Sequence, residues 1–493
     1  MGGPHLHDVL ILGGGAVGAT LARALSRFEL DVVLLEAKAE VAFGVSKANS
    51  GIIHSGLHAP PDTLKGQLEY PGNLGWRRLH AELGFGFEPV GEVMVAVEPD
   101  EVDTIEAIRR QGVAKGVAGI TPWSAQQALA AQPNLNPDIA GAVWASTACV
   151  FNPYEAVMLV ADAAQRNGVR IEVNQPVVAI DPPDPEQPAG PLVVHTPTGC
   201  WRGRFVVNAA GLFADEVAAM AGVDGVTIHP RKGEEYLLDR RREGLVTSIV
   251  FPAPRPTSKG TLVIPTVDGP IMVGPTAHEV DDKHDTSTTD EGATEVFANA
   301  RRLVPAVSER DVIAQFAGVR PVSDIRDFVV GATGRPGFIN AAGIQSPGLT
   351  AAPALADYLV DILADEGLEL IESVGWEPAA PPPVRFASLS TFEQRRLARS
   401  DPRYAQLVCR CELVTAAEAS AAIARGARTL DGLKFRTRAG MGSCQGSFCT
   451  WPCLRLLADQ LGLPPTAITK RGGDSWMVRA RDDDPRRPPA TEG

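Results

Sequence analysis

Apolar residues open the chain in two short blocks, DVLIL (Asp8–Leu12) and DVVLL (Asp31–Leu35), separated by the turn GGGAVG and an Ala/Leu-rich stretch running to about Phe28. Short apolar blocks bounded by turn signals predict buried strands, and the stretch between them predicts a helix. The segment therefore reads as strand–turn–helix–strand, the opening of a doubly wound α/β domain. Alternating strand-like and helix-like runs continue, and GEVMVAVEPD (91–100) and TLVIPTVDGPIMVGPT (261–276) predict an antiparallel, β-rich, substrate-covering subdomain. Between Phe338 and Leu363 a strand (FINAAG), a loop (IQSPG) and an apolar helix from about Leu349 return the chain to the first domain.

After Glu377 the pattern breaks at PAAPPPVR, whose prolines disfavour regular structure. The expected organisation is a large α/β region with its β-rich subdomain at 1–375, a Pro-rich linker at 376–400, a compact cysteine-bearing segment at 401–465 and a polar tail at 466–493. No internal repeat is visible.

Composition narrows the function. A chain of 493 residues exceeds one hydrophobic core, and 44% hydrophobic with 21% charged residues is ordinary for a globular protein. With 59 acidic against 46 basic residues the net charge is −13, which argues against nucleic acid as a partner and leaves room for a local basic pocket holding a small anion. No run approaches the roughly 18 apolar residues of a membrane span. Met1 lies too close to the first strand for a signal peptide, so a cytoplasmic setting is expected. In a reducing compartment seven cysteines favour metal or redox chemistry over disulfides.

The chemistry sits at both ends. GGGAVG places Gly13, Gly15 and Gly18 as G-x-G-x-x-G between strand and helix. Gly13 permits the tight turn, Gly15 the approach of a pyrophosphate, and Gly18 close helix–sheet packing. The helix N-terminus offers N–H groups to phosphate, and Glu36, ending the second strand, is placed for ribose hydroxyls. FVVNAAGLFAD (205–215), with Ala210 and Gly211, and INAAGIQSPGLT (339–350), with Gly343, Gln345, Ser346, Gly348, Leu349 and Thr350, repeat a strand–loop–helix logic. In flavoproteins such a late turn stabilises the reduced isoalloxazine edge; the alternative is a pair of ordinary Gly/Ala-rich βα turns.

Near the other end Cys409 and Cys411 form C-x-C, and Cys444 and Cys449 form C-x4-C, with 32 residues between the pairs. In extended backbone, residues i and i+2 share a face, and Gly442 and Gly446 admit backbone N–H groups near sulfur. Four thiolates suit a [2Fe–2S] cluster; zinc usually takes pairs spaced C-x2-4-C, and inert thiols are the remaining reading. Cys453, one helical turn beyond Cys449, is read as a packed thiol or a substitute ligand rather than one of the four.

These stretches, with KANSGIIHSGLHAPP (47–61), PRKGEEYLLD (230–239) and FAGVRPVSD (316–324), resemble the D-amino-acid-oxidase-type FAD family over about residues 8–370. Within it they are most similar to the catalytic subunit of anaerobic glycerol-3-phosphate dehydrogenases. VCRCE through SCQGSFC is similar to the bacterioferritin-associated-ferredoxin-like [2Fe–2S] domain. The resemblance implies FAD held also by Ser46, Asn49, Ser50 and Gly51, with His54 as base and Arg320 as clamp for the substrate anion. An imidazole titrates near neutrality, and a guanidinium fork suits phosphate or carboxylate. His58, Lys232 and Lys259 are secondary substrate-binding candidates, and a buried Arg320 pair with Asp324 or Asp327 is the structural alternative. The implied reaction is oxidation of sn-glycerol 3-phosphate, electrons leaving through the cluster to a quinone or to membrane-linked redox subunits at the inner face of the cell membrane. The rival readings are an L-2-hydroxyglutarate or other 2-hydroxy-acid dehydrogenase, an amine or amino-acid oxidase, and an electron-transfer or redox-sensing protein. Both a monomer and an oligomer are compatible with the chain.

Overall fold

The computed structural model describes residues 5–479, apart from 185, 188 and 255–259. The chain divides into two compact units, Met1–Ala37 with Val41–Pro382, and Lys38–Glu40 with Pro383–Gly493. No helix among the described residues is long and apolar enough to cross a membrane.

Among the described residues the larger unit has two large sheets and a small three-stranded one formed by Ile52–Ile53, Cys149–Phe151 and Phe87–Glu88. In the first, the strands Val32–Leu35, Leu6–Leu12, Gly199–Asn208 and Phe338–Ala342 run parallel in that spatial order. Their sequences are near-continuous apolar runs because both sheet faces are covered, and Val9–Leu12, Val32–Leu35, Val206, Val207, Phe338 and Ile339 are all buried. The antiparallel strands Leu192–Thr196 and Val329–Ala332 belong to this sheet, which has eight strands in all. The helices Ala16–Leu25 and Gly348–Asp365 both begin where a parallel strand has just ended.

The first helix stops at Leu25 rather than near Phe28. Ser26 closes it by donating from its hydroxyl to Arg23 O at 2.7 Å, and Phe28 is drawn into a bridge with Glu372. The local Ser26 cap and the Phe28 pairing together stop the helix short of the end of the apolar pattern. Its other end depends on Gly18, where a Cβ would lie 1.9 Å from Gly13 O.

The second sheet has nine strands, including Ile228–Leu238, Ile271–Gly274, Leu262–Pro265, Ile249–Pro252, Glu92–Ala96 and Gly141–Ala145. It is antiparallel except where Ile249–Pro252 runs parallel to Glu92–Ala96. Its longest pairing joins Ile228–Leu238 to Val312–Ser323 from Ile228↔Ser323 to Leu238↔Val312.

The smaller unit packs the helices Ala416–Ala424, Leu430–Thr437 and Thr450–Leu461 against a two-stranded ribbon, Leu407–Cys409 with Val414–Thr415. Two expectations need correction here. Residues 377–385 carry neither helix nor strand, but Thr391–Ser400 is helical, because Ser390 and Glu393 form a capping box. The stretch after 465 is no simple tail either: Ile468 is buried in this unit's core with Leu433, Leu454 and Leu457, and Thr469 bridges Trp476. Residues 480–493 lie outside the described residues.

Gly18→Ala is expected to destabilise the larger unit by about 1–3 kcal/mol or more, since the added methyl meets backbone that cannot rotate away. Denaturant unfolding together with flavin content checks this; an unchanged midpoint with full flavin would contradict it.

Candidate active site

Because the central strands are parallel, their carboxyl ends lie on one edge: Leu12 is level with Asn208, and Asn208 with Asn340. That edge gathers residues remote in sequence. Gly13 (φ +113°) turns the chain so tightly that a Cβ there would lie 2.4 Å from Ala209 O. Gly15 precedes the first helix, and Ala16 N, in its first turn, donates to Ser46 Oγ at 2.9 Å. Glu36 follows the second strand and is buried, its Oε2 accepting from Gly14 N at 2.7 Å. Ala210 N donates to Asn208 Oδ1, and Gly211 and Gly343 both adopt left-handed backbone. Gln345 Nε2 donates to Arg326 O at 3.0 Å, and Gly348 opens the late helix. Side-chain-free glycines at a helix N-terminus, with an acid on the neighbouring strand, fit a dinucleotide at this edge.

The loop after the second strand crosses this edge. Asn49 organises it, donating to Val45 O and Ser46 O and accepting from Gly51 N at 2.8 Å. Gly51 (φ +62°) then turns the chain into strand Ile52–Ile53 and His54. His54 is buried. Its backbone N–H donates to Thr350 Oγ1 at 3.0 Å, its ring Nε2 lies 3.5 Å from Ser346 Oγ, and Leu349 O accepts from Trp76 Nε1. The predicted base is thus held against the start of the late helix.

His58 packs edge-to-face on the His54 ring, with centroids 5.2 Å apart, and lies tilted over Phe251. Its Nε2 lies 2.9 Å from Glu92 Oε1, which also accepts from Ser55 Oγ at 2.7 Å. Sequence reasoning missed Glu92; its signal was an acid inside the otherwise apolar run EVMVA, where all five residues are buried.

Arg320 lies on the face of Val312–Ser323 that carries Gly318. A Cβ at Gly318 would sit 2.0 Å from Ala48 O, so the 45–51 loop closes directly on this strand. A Cβ at Gly233, on the paired strand, would lie 2.2 Å from a guanidinium nitrogen of Arg320. The Arg320 side chain therefore lies across the glycine. It donates to Thr276 O at 3.2 Å, and among the described residues it makes no ion pair. The expected alternative of an aspartate partner is not realised: Asp324 bonds His229, and Asp327 accepts from Leu64 and Lys65 N–H.

Two residues from Gly233 on the same strand face is Glu235, which sequence reasoning also missed, although two acids inside a strand-like run (GEEYLL) were a visible signal. It is 3% exposed; Oε1 accepts from Ser50 Oγ at 2.8 Å, and among the described residues Oε2 has no hydrogen-bond partner. Burial pushes its carboxyl up to about 7, and the Ser50 hydrogen bond and the Arg320 charge offset this only in part. Burial likewise lowers the Arg320 guanidinium from its usual range.

Lys232 does not join this group. Strand alternation turns it to the opposite sheet face, where Nζ bonds Asp285 Oδ2 at 2.7 Å and holds that carboxyl down to about 2. Lys259 lies outside the described residues.

In the smaller unit the four predicted cysteines meet as two pairs. Cys411 and Cys444 sulfurs are 3.5 Å apart. Burial pushes the Cys449 thiol up to about 12, and Cys409 lies close enough for its charge to oppose ionisation there as well. Burial opposes ionisation of Cys444, but the Cys411 thiol and the N–H groups of Gly446, Phe448 and Ser447 outweigh it and lower its pKa. A Cβ at Gly442 would meet Cys411 Cβ at 2.4 Å, so that glycine lets the loop approach. Two thiol pairs with converging N–H donors fit a two-iron cluster. Cys411 is exposed and Cys444 partly so, while Cys409, Cys449 and Cys453 are buried.

Comparison with known proteins matches both regions of the chain to described families. Residues 8–362 match the family described as FAD dependent oxidoreductase, and residues 407–459 match the BFD-like [2Fe-2S] binding domain. The chain is 38% identical to a glycerol 3-phosphate dehydrogenase of Caloramator mitchellensis over 96% of this chain and 98% of that protein. It is 26% identical to one of the subunits of the anaerobic glycerol-3-phosphate dehydrogenase of Escherichia coli K12 over 91% and 88%. The FAD-bound L-alpha-glycerophosphate oxidase of Mycoplasma pneumoniae superposes with a TM-score of 0.73 at 30% identity, covering 77% of this chain and all of that one.

Metal analysis of an anaerobic preparation is expected to give about two irons per chain on the four-thiolate argument. Cys444→Ser should lower that content and bleach the visible charge-transfer bands. Stoichiometric zinc without iron would overturn the assignment.

Proposed function

This chain belongs to the FAD dependent oxidoreductase family, and from that premise we propose that it oxidises sn-glycerol 3-phosphate to dihydroxyacetone phosphate and passes the electrons out through its C-terminal unit. The observation that carries this reading is Arg320: a half-buried cation with no carboxylate partner among the described residues, on the strand face closed by the loop that leads into His54. A guanidinium so placed recognises a phosphate through paired N–H donors and orients the carbinol carbon.

When bound, FAD supplies the two-electron acceptor for the C2 hydride, and the [2Fe–2S] cluster supplies a one-electron exit. Gly13, Gly15, Gly18, Glu36, Ser46 and the 343–350 turn hold the dinucleotide. His54 takes the hydroxyl proton as the carbonyl forms, and Thr350 and Ser346 fix its position. Glu92 holds the His58 ring through Nε2, and that ring, packed edge-on against His54, keeps the base from turning away. Cys411 and Cys444 form the exposed edge of the thiol group and face the acceptor. The acceptor in this reading is a quinone or redox subunits at the inner face of the cell membrane. The Escherichia coli relative, itself one subunit of a larger enzyme, supports it.

Anaerobic mixing with sn-glycerol 3-phosphate should bleach the flavin band and then the cluster absorbance. Bleaching by L-2-hydroxyglutarate alone would move the substrate to the 2-hydroxy acids, and reduction by dithionite alone would favour the electron-transfer reading. Arg320→Ala is expected to raise KM on the order of 100-fold with flavin content intact, the loss of one partner of a desolvated charge pair. His54→Asn should instead lower kcat by about 100- to 10,000-fold. Steady-state assays with a dye acceptor separate the two effects; unchanged KM in Arg320→Ala would refute the clamp.

A further inference from the structure

Ile228–Leu238 carries two adjacent acids with opposite circumstances. Glu234 faces away from the site, accepting from Thr289 N, Thr289 Oγ1 and Tyr236 OH, and so anchors the start of helix Asp290–Leu303. Among the described residues Glu235, facing the site, has a single hydrogen bond, from Ser50, and a second, buried oxygen without a partner. A buried carboxylate left in that state is expensive, whereas a neutral carboxylic acid is not. The elements packed around it bring few charges. The 45–51 loop brings the Ser50 hydroxyl, Val312–Ser323 brings the Arg320 charge, Ile271–Gly274 brings only Gly274, and its own strand brings Gly233 and, beyond that, Arg231. Arg320 is the one charged group among these that acts on it.

We propose that Glu235 is a positioning residue for the anion clamp: as a neutral acid it holds Ser50 and leaves the Arg320 charge to the substrate, and as a carboxylate it competes with the substrate anion for that charge. The proposal rests on the reading of Arg320 given above. One carboxyl group then serves two tasks. By accepting the Ser50 hydroxyl it keeps the KANSG loop docked, and its titration sets how much of the guanidinium charge an incoming anion meets. The sign follows from the geometry. Below the Glu235 midpoint the clamp is free and the substrate binds tightly; above it, binding weakens as the internal carboxylate forms. With a midpoint of about 7, only about a tenth of the protein is in the binding-competent form at pH 8, which raises the apparent KM about tenfold over its value at pH 6.

The test is KM and kcat for sn-glycerol 3-phosphate from pH 6 to 8 in the flavin- and cluster-loaded full chain, comparing wild type with Glu235→Gln. The amide keeps the neutral state at every pH, and titration of the substrate phosphate is common to both proteins and cancels in their ratio. The expected ratio of wild-type to variant KM is near one at pH 6 and about ten at pH 8, with kcat moving little. A ratio that stays flat across the range overturns the proposal. Arg320→Ala is measured alongside: if its KM is unchanged the clamp reading fails, whereas a raised KM with a flat wild-type to Glu235→Gln ratio sinks the Glu235 role alone. Should Glu235→Gln not fold, infrared titration of the wild type decides. A protonated-carboxyl band that persists to higher pH when sn-glycerol 3-phosphate is bound supports the proposal, and absence of such a band at pH 6 refutes it.

Discussion

The close approach of the 45–51 loop to strand Val312–Ser323, possible because residue 318 has no side chain, is the constraint on which the rest of the larger unit's chemistry depends. A methyl group there would sit 2.0 Å from Ala48 O. With the loop seated, Ser46 reaches the first helix, Ser50 reaches Glu235, and Gly51 redirects the chain so that His54 meets Thr350. One backbone contact thereby links the dinucleotide edge of one sheet to the clamp face of the other. Because interiors are close-packed, such a contact holds its neighbours in one arrangement.

Neighbouring polar residues in this unit divide by what satisfies them. Glu234 and Lys232 occupy one face of their strand and are fully engaged in structural bonds. Gly233 and Glu235 occupy the other, where a cation lies across the glycine and the acid is left half-satisfied. Unsatisfied buried polar groups concentrate where a protein needs a ligand or a titration, since elsewhere they only cost stability.

The smaller unit follows a different logic. Its helices bury an Ala/Leu core, and the thiols of the C-x-C and C-x4-C pairs divide into two buried (Cys409, Cys449) and two reaching toward solvent (Cys411, Cys444). Backbone N–H groups of Gly446, Ser447 and Phe448 directed at Cys444 are already arranged before any metal is considered, which favours thiolate there. An exposed sulfur edge also gives electrons a short path to a partner.

Much of this was legible in the chain. The βαβ opening follows from buried parallel strands needing apolar residues on both faces, and the glycine turn and the C-x-C and C-x4-C pairs follow from backbone space and ligand count. His54 and Arg320 were legible only through the resemblance their motifs carry. What the tertiary structure alone decided was partnership. It turned Lys232 away into a bond with Asp285, denied Arg320 the aspartates nearest in sequence, and made Glu235 rather than Glu234 the acid beside the clamp. The Thr391–Ser400 helix, by contrast, follows from a local signal, the Ser390/Glu393 capping box, just downstream of prolines that suggested a linker. Sequence determines periodicity and the local cost of each turn, whereas which buried group meets which depends on register between strands more than 80 residues apart, as in Arg231↔Arg320.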